Sequence, residues 1–190
     1  MIWFTSDWHI GHSKDFCYGA RGFNNTTDMD TAILYNCNKF VKQNDTLYIL
    51  GDLAMSSVEE EWNRVYYNLI CQDVHYLQGN HDTNKKMDIF DDEYRFTYEG
   101  LATIIRYGKY HFYLSHYPTL VGKYDDNDKP LKHRLINLCG HTHTKDKFSD
   151  MDKGLIYHVE VDAHDCCPIS IEQIIADIKI YYEEQYIKYK

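Results

Sequence analysis

No stretch of this 190-residue chain approaches the roughly 20 consecutive apolar residues that a membrane-spanning helix needs. The opening residues, Met1-Ile2-Trp3-Phe4-Thr5-Ser6-Asp7, have neither a basic leader nor a small-residue cleavage site, so no secretory signal is read there and a cytoplasmic location is expected. Cys-x-x-Cys is also missing. Cys17, Cys37, Cys71 and Cys139 stand singly and Cys166-Cys167 are adjacent, which argues against a zinc knuckle or a thioredoxin-type site and for reduced, incidental thiols. Basic residues are in deficit, 20 Lys and Arg against 29 Asp and Glu, and the net charge of −9 disfavours duplex nucleic acid as a partner. It leaves a small phosphorylated substrate open, because bound metal ions can reverse a local potential. Repeats, linkers and low-complexity segments are absent too, so one α/β domain over residues 1–190 is expected.

What the chain does contain is a recurring arrangement: an apolar run followed at once by Asp, Asn or His. Residues 2–5 lead into Asp7 and His9, and 46–50 into Gly51-Asp52. Residues 74–77 lead into Gly79-Asn80-His81-Asp82, 110–114 into His116, and 135–139 into Gly140-His141-Thr142-His143. Such runs, rich in aromatic and β-branched residues, predict buried strands. Helices are predicted from about Thr27 to a turn at Asn44-Asp45, after a cap at Ser56 or Ser57 with a stripe of Val58, Trp62, Val65 and Leu69, and over residues 85–90. A last helix is predicted behind the capping box Ser170/Gln173 and the staple Ile169/Ile174. Residues 13–27 read as an ordered loop and 155–161 as a further strand. The runs at 94–98, 102–105 and 110–114, broken at Gly100 and Gly108, predict an antiparallel meander. A polar stretch at 119–134 reads as a solvated lid, since its Asp125-Asp126-x-Asp128 lacks the Gly and Glu of a calcium loop.

Five polar packets at five strand ends would crowd together at one rim, where open α/β folds bind ligands. Imidazole and carboxylate together suit manganese, iron, nickel or zinc, and six or seven such groups suit two ions with a shared carboxylate. Any one of these residues alone is a common turn former or cap; it is their joint occurrence that carries the reading.

The series Asp7-x-His9, Gly51-Asp52, Gly79-Asn80-His81-Asp82, His116 and Gly140-His141-x-His143 resembles the motif series of the calcineurin-like metallophosphoesterases. The run from Phe4 to His12, followed by Arg21 and Phe23, is similar to a small single-domain branch found in phages and bacteria, although Gly22 stands where that branch usually has proline. The resemblance implies an α/β sandwich of two mixed β-sheets flanked by helices, with a dinuclear metal site at the strand ends. It implies that Asp7, His9 and His143 hold one divalent ion, that Asn80, His116 and His141 hold another, and that Asp52 bridges them, with manganese first among the candidate metals. A metal-bridging hydroxide would then attack phosphorus in line. His81 would stabilise the substrate oxygens or protonate the leaving group, and Asp82 would either orient His81 or cap the next helix. His12 and Arg21 would either bind substrate phosphate or brace their loop. His75, His111, His133, His158 and His164 fall outside the motifs and are assigned structural or surface roles.

The expected activity is hydrolysis of a small phosphodiester or nucleotide-like substrate, with phosphomonoesters as a second substrate type. Gly51-Asp52 runs into Leu53-Ala54-Met55 and not into the Asp-Arg element of protein phosphatases, which counts against phosphoprotein substrates. A nuclease acting on ends or single strands is the alternative, favoured by the 18 tyrosines and opposed by the acidic balance. A non-catalytic metal-binding scaffold is the third reading.

Overall fold

The computed structural model describes residues 1–55, 59–91, 94–120, 135–149 and 155–188. Four parallel strands come first: β1 (Ile2–Thr5), β2 (Thr46–Ile49), β3 (Asp73–Tyr76) and β4 (Phe96–Tyr98). They form one sheet, which β10 (Ile169–Ser170) closes antiparallel to β1. The second sheet contains β5 (Ala102–Tyr107), β6 (Tyr110–Ser115), β7 (Leu135–Cys139), β8 (Phe148–Ser149) and β9 (Ile156–His158), in the order β5-β6-β7-β9-β8. There β6, β7 and β9 run parallel, while β5 and β8 are antiparallel edge strands. The expected sandwich of two mixed sheets is therefore present.

Side-chain alternation along each strand places the core. Leu47 and Ile49 of β2, with Val74 and Tyr76 of β3, face a layer built from Met29, Ile33 and Cys37 of α2 (Thr26–Phe40) and Trp62 and Val65 of α3 (Glu59–Asn68). The intervening Tyr48, with Phe4, Leu50 and Leu77, faces Phe112, Leu114, Ile136, Leu138 and Tyr157 of the second sheet. Asn25 caps α2, its side chain accepting from the Asp28 N–H. Ser170 accepts from the Gln173 N–H as the capping box predicts, but the Gln173 side chain donates to Asp177 at 2.8 Å, so only half of the box forms. The terminal helix α5 (Ile171–Lys188) buries Ile171, Ile174, Ile175 and Ile178 in the intersheet core. The predicted loop at 13–27 contains a single helical turn, α1 (Asp15–Tyr18), and the predicted helix at 85–90 is α4 (Asn84–Asp91).

The meander is a correction. β4 does not pair with β5; it runs parallel to β3, with Val74 opposite Phe96 and Tyr76 opposite Tyr98. Buried Phe96 belongs to the core under α3, so the chain changes sheets at the Gly100 turn, and only β5 and β6 form a hairpin. The Ser56/Ser57 cap, Val58, His133 and most of the predicted lid (121–134) lie outside the described residues.

Register delivers the site. Thr5, Ile49 and Tyr76 sit side by side, so the packets after β1, β2 and β3 leave the first sheet at the same edge. Leu114 pairs with Leu138, which does the same for the packets after β6 and β7. A bridge between Ser6 and Glu160 and a hydrogen bond from the Val161 N–H to the Ser6 carbonyl (3.2 Å) tie the two edges together.

Candidate metal centre

Seven non-glycine residues among those described have positive φ, and five are predicted ligands: Asp7 (58°), His9 (51°), Asp52 (54°), His141 (74°) and His143 (51°). The left-handed region is unfavourable for residues with a Cβ, and its concentration here marks a backbone bent to aim side chains. Gly79 is different. Its φ is ordinary, and it is glycine because a Cβ would stand 2.2 Å from Asp52 Oδ1 and 2.7 Å from the Asp52 nitrogen. Gly79→Ala should therefore displace the Asp52 carboxylate, lower stability by about 1–3 kcal/mol and weaken metal binding, as thermal melts with and without Mn²⁺ would show.

The donor atoms converge in two groups. Asp7, His9 and His143 offer ligand atoms within 4.8 Å of one another, and so do Asp7, Asp52 and His116. His9 Nε2 lies 3.1 Å from His143 Nε2, and Asp7 Oδ1 lies 3.8 and 3.7 Å from those two atoms. Asn80 Oδ1 lies 2.7 Å from His116 Nε2 and 2.8 Å from His141 Nδ1. Asp52 Oδ2 stands between the groups, 3.8 Å from His9 Nε2 and 3.5 Å from His116 Nε2. Ligands at about 2.1 Å from a common ion are separated by roughly 3 Å, the spacing seen between the imidazoles.

Hydrogen-bond logic shows that these residues fit a cation. The Leu50 carbonyl can only accept, so the His116 ring donates from Nδ1 (2.9 Å) and turns its Nε2 toward the Asn80 oxygen. Likewise His143 donates from Nδ1 to Asp162 Oδ2 (2.8 Å), which turns its Nε2 toward His9 Nε2. His9 Nε2 with His143 Nε2, and His116 Nε2 with Asn80 Oδ1, thus bring ligand-type atoms to spacings that suit a shared cation. Burial, reinforced by His143 and Arg21, pushes His9 down to about 2, so its ring stays neutral and available as a donor. Burial also raises Asp7 to about 6 despite His116 and His143, and its buried Oδ1 has no hydrogen-bond partner among the described residues. An orphan carboxylate oxygen beside imidazole lone pairs is the chemistry of a cation site.

His81 sits at the mouth of this cluster. Its side chain is exposed, its backbone N–H donates to Asp52 Oδ1 at 2.8 Å, and its ring centroid lies 5.4 Å from that of His9. His12 lies beside it, 5.9 Å from the His9 ring between centroids, with its carbonyl accepting from Thr26 Oγ1.

Two expectations are corrected. Asp82 is buried and neither orients the His81 ring nor caps α4. Its Oδ2 accepts from the Asp52 N–H (2.8 Å) and the Gly79 N–H (2.7 Å), locking together the loops after β2 and β3. Lys86 strengthens the same junction, its ammonium donating to the carbonyls of Ala54, Met55 and His81. Arg21 has no donors to spare for substrate. Its guanidinium grips Asp162 through two bonds of 2.9 and 2.8 Å and donates to the carbonyls of Asp7 (2.7 Å) and Trp8 (3.0 Å), and its side chain is only 2% exposed. It braces the loop, the other role open to it.

Asp162 and Glu160 were missed. Burial alone would raise Asp162, but the bonds from His143 and Arg21 outweigh it and hold the carboxyl well below its ordinary range. In return, Asp162 and Asp7 outweigh burial and raise His143, making it a more basic donor. Buried Glu160 pairs with buried His158 and accepts from Thr142 Oγ1 (2.8 Å) and the Thr144 N–H (3.3 Å), fixing the loop that carries His141 and His143. The signal was present, because Glu160 and Asp162 follow the apolar run at 155–159 just as the other packets follow theirs.

A two-sheet α/β sandwich gathers carboxylates, imidazoles and one amide at its joined strand ends, in a cluster that could hold a metal ion. The chain belongs to the calcineurin-like phosphoesterase family, whose pattern matches residues 1–162. An uncharacterized protein of Methanocaldococcus jannaschii is 27% identical over 177 residues, covering 92% of this chain and 89% of its own length. The Gene 66 protein of Mycobacterium phage D29 is 28% identical over 202 residues, covering 94% and 97%. A protein of unknown function from Aquifex aeolicus shares the fold, with a TM-score of 0.65 at 23% identity and coverage of 93% and 98%. Among the described residues no helix is long and apolar enough to cross a membrane, and all six cysteines are free thiols, five of them buried.

Proposed function

We propose that this protein is a dinuclear-metal phosphoesterase that hydrolyses a small phosphodiester or nucleotide-like substrate and also accepts phosphomonoesters. The observation that carries this is the close approach of ligand-type atoms, His9 Nε2 to His143 Nε2 and His116 Nε2 to Asn80 Oδ1, around the orphan Asp7 oxygen. Asp7, His9 and His143 would hold one ion; Asn80, His116 and His141 the other; and Asp52, whose Oδ2 faces both sets, would be shared. Divalent ions bound there supply Lewis-acid polarisation of the phosphate and activation of water. The remaining work falls to the chain. His81, anchored by its backbone to Asp52 and exposed toward the cavity, donates a hydrogen bond to a phosphoryl oxygen or a proton to the leaving alkoxide. Asp82, Lys86, Glu160 and the Arg21–Asp162 pair keep the loops in register, so the donors need no rearrangement.

A screen of protein reconstituted with manganese, nickel, zinc or iron against chromogenic mono- and diesters, cyclic nucleotides, dinucleotides and oligonucleotides tests this. Diester turnover that falls at least about 100-fold in His81→Ala is the expected result. Monoesters turned over much faster than every diester would reverse the substrate preference, and turnover of oligonucleotides alone would make the protein a nuclease. A metal-loaded protein inert on all of them would be a scaffold.

A further inference from the structure

The cavity that His9, His81 and His143 share extends away from the metal donors to about 340 Å³ and is also lined by His12, Phe16 and Lys145. That volume falls within the range of small-ligand sites and leaves room for more than a phosphate. Phe16 is the feature that needs explaining. An isolated exposed phenyl ring is ordinary, but this one, 72% exposed, borders a cavity shared with the metal donors. Its backbone is fixed on every side. Cys17 and Tyr18 of the same turn pack into the core, the Gly19 N–H donates to the Asp15 carbonyl at 2.7 Å, and the Phe23 N–H donates to the Tyr18 carbonyl at 2.9 Å. Arg21, three residues past the turn's end, is clamped to Asp162. The His12 ring meets Phe16 edge-on, with centroids 5.1 Å apart at 76°. Two aromatic rings and an exposed ammonium thus border a space that opens on the phosphate-binding end.

We propose that this cavity is a base-binding subsite, which takes the planar heteroaromatic ring of a nucleotide-like substrate, stacked on Phe16, while the attached phosphate lies at the metal centre. The proposal rests on the phosphoesterase reading above. Stacking suits an unidentified base because every nucleobase presents a π-face, and Lys145 adds a positive charge for a substrate that carries negative charge.

Two p-nitrophenyl diesters with the same leaving group test it, one carrying thymidine 5′-phosphate and one carrying methyl phosphate. The expected result is a preference in kcat/KM for the thymidine ester that Phe16→Ala lowers by roughly 10-fold. Phe16→Trp should retain the preference, and so should Tyr67→Ala, which removes an exposed ring from α3. In parallel, calorimetry compares AMP with ribose 5-phosphate, and tighter binding of AMP should depend on Phe16. Hydrolysis of both diesters without preference, or with a preference that survives Phe16→Ala, overturns the subsite and leaves the phosphoesterase standing. If no ester is hydrolysed with any metal while AMP binding still depends on Phe16, the phosphoesterase reading fails and the subsite stands.

Discussion

On the proposed dinuclear reading, Asp52→Asn is expected to lower kcat/KM on any hydrolysed ester by on the order of 10³-fold or more, and to reduce bound metal from two ions to one or none. The asymmetry of the carboxylate gives the reason. Oδ1 accepts the His81 N–H, which an asparagine oxygen can still do, so the loop after β3 keeps its place. Oδ2 faces the imidazoles of both donor sets, and replacing that anionic oxygen by NH₂ would remove the negative charge the proposed ions would share. Metal analysis of the purified variant, read beside its melting temperature, separates loss of the ions from loss of the fold. A variant that keeps two ions and full activity would remove Asp52 from the bridging position.

Asp162→Asn should have the second largest effect, and on stability first. The Arg21–Asp162 pair is almost fully buried, and neutralising one partner strands the other. Breaking such a pair costs about 3–5 kcal/mol, on the order of 10 °C in melting temperature for a domain of this size. The sign with pH follows from the depressed carboxyl. Its stabilisation is complete above the free-carboxyl value of 3.8 and is lost as the pH falls below it, so the gap between the two proteins should narrow in acid. Metal affinity should fall about 10- to 100-fold, because His143 loses the anionic partner that raises its basicity. Arg21→Lys should recover little of this, since an ammonium cannot reproduce the two-bond grip on Asp162 together with the bonds to the Asp7 and Trp8 carbonyls. Equal melting temperatures for wild type and Asp162→Asn at neutral pH would show that the pair contributes nothing.

The sequence alone determined the strand-end packets, and the family resemblance they carry implied the sandwich. An apolar run followed by Gly, Asp, Asn or His is local information: burial fixes the strand, and the polar residues must fall just beyond its end. Asp7, His9, Asp52, Asn80, His116, His141 and His143 could therefore be named before their mutual distances were known. Tertiary structure decided whatever depends on a partner distant in the chain. Arg21 and Asp162 are 141 positions apart, and nothing near Arg21 shows that its donors will be taken up by a carboxylate and two carbonyls. Asp82 looked like a partner for its neighbour His81, yet its oxygen goes to the backbone of Asp52, 30 positions away. β4 has the same local pattern as a meander strand, and its sheet was chosen by where Phe96 could be buried. Periodicity tells which face of an element is apolar. Which other element covers that face, and which backbone N–H meets a buried carboxylate, is settled only when the two sheets close on each other.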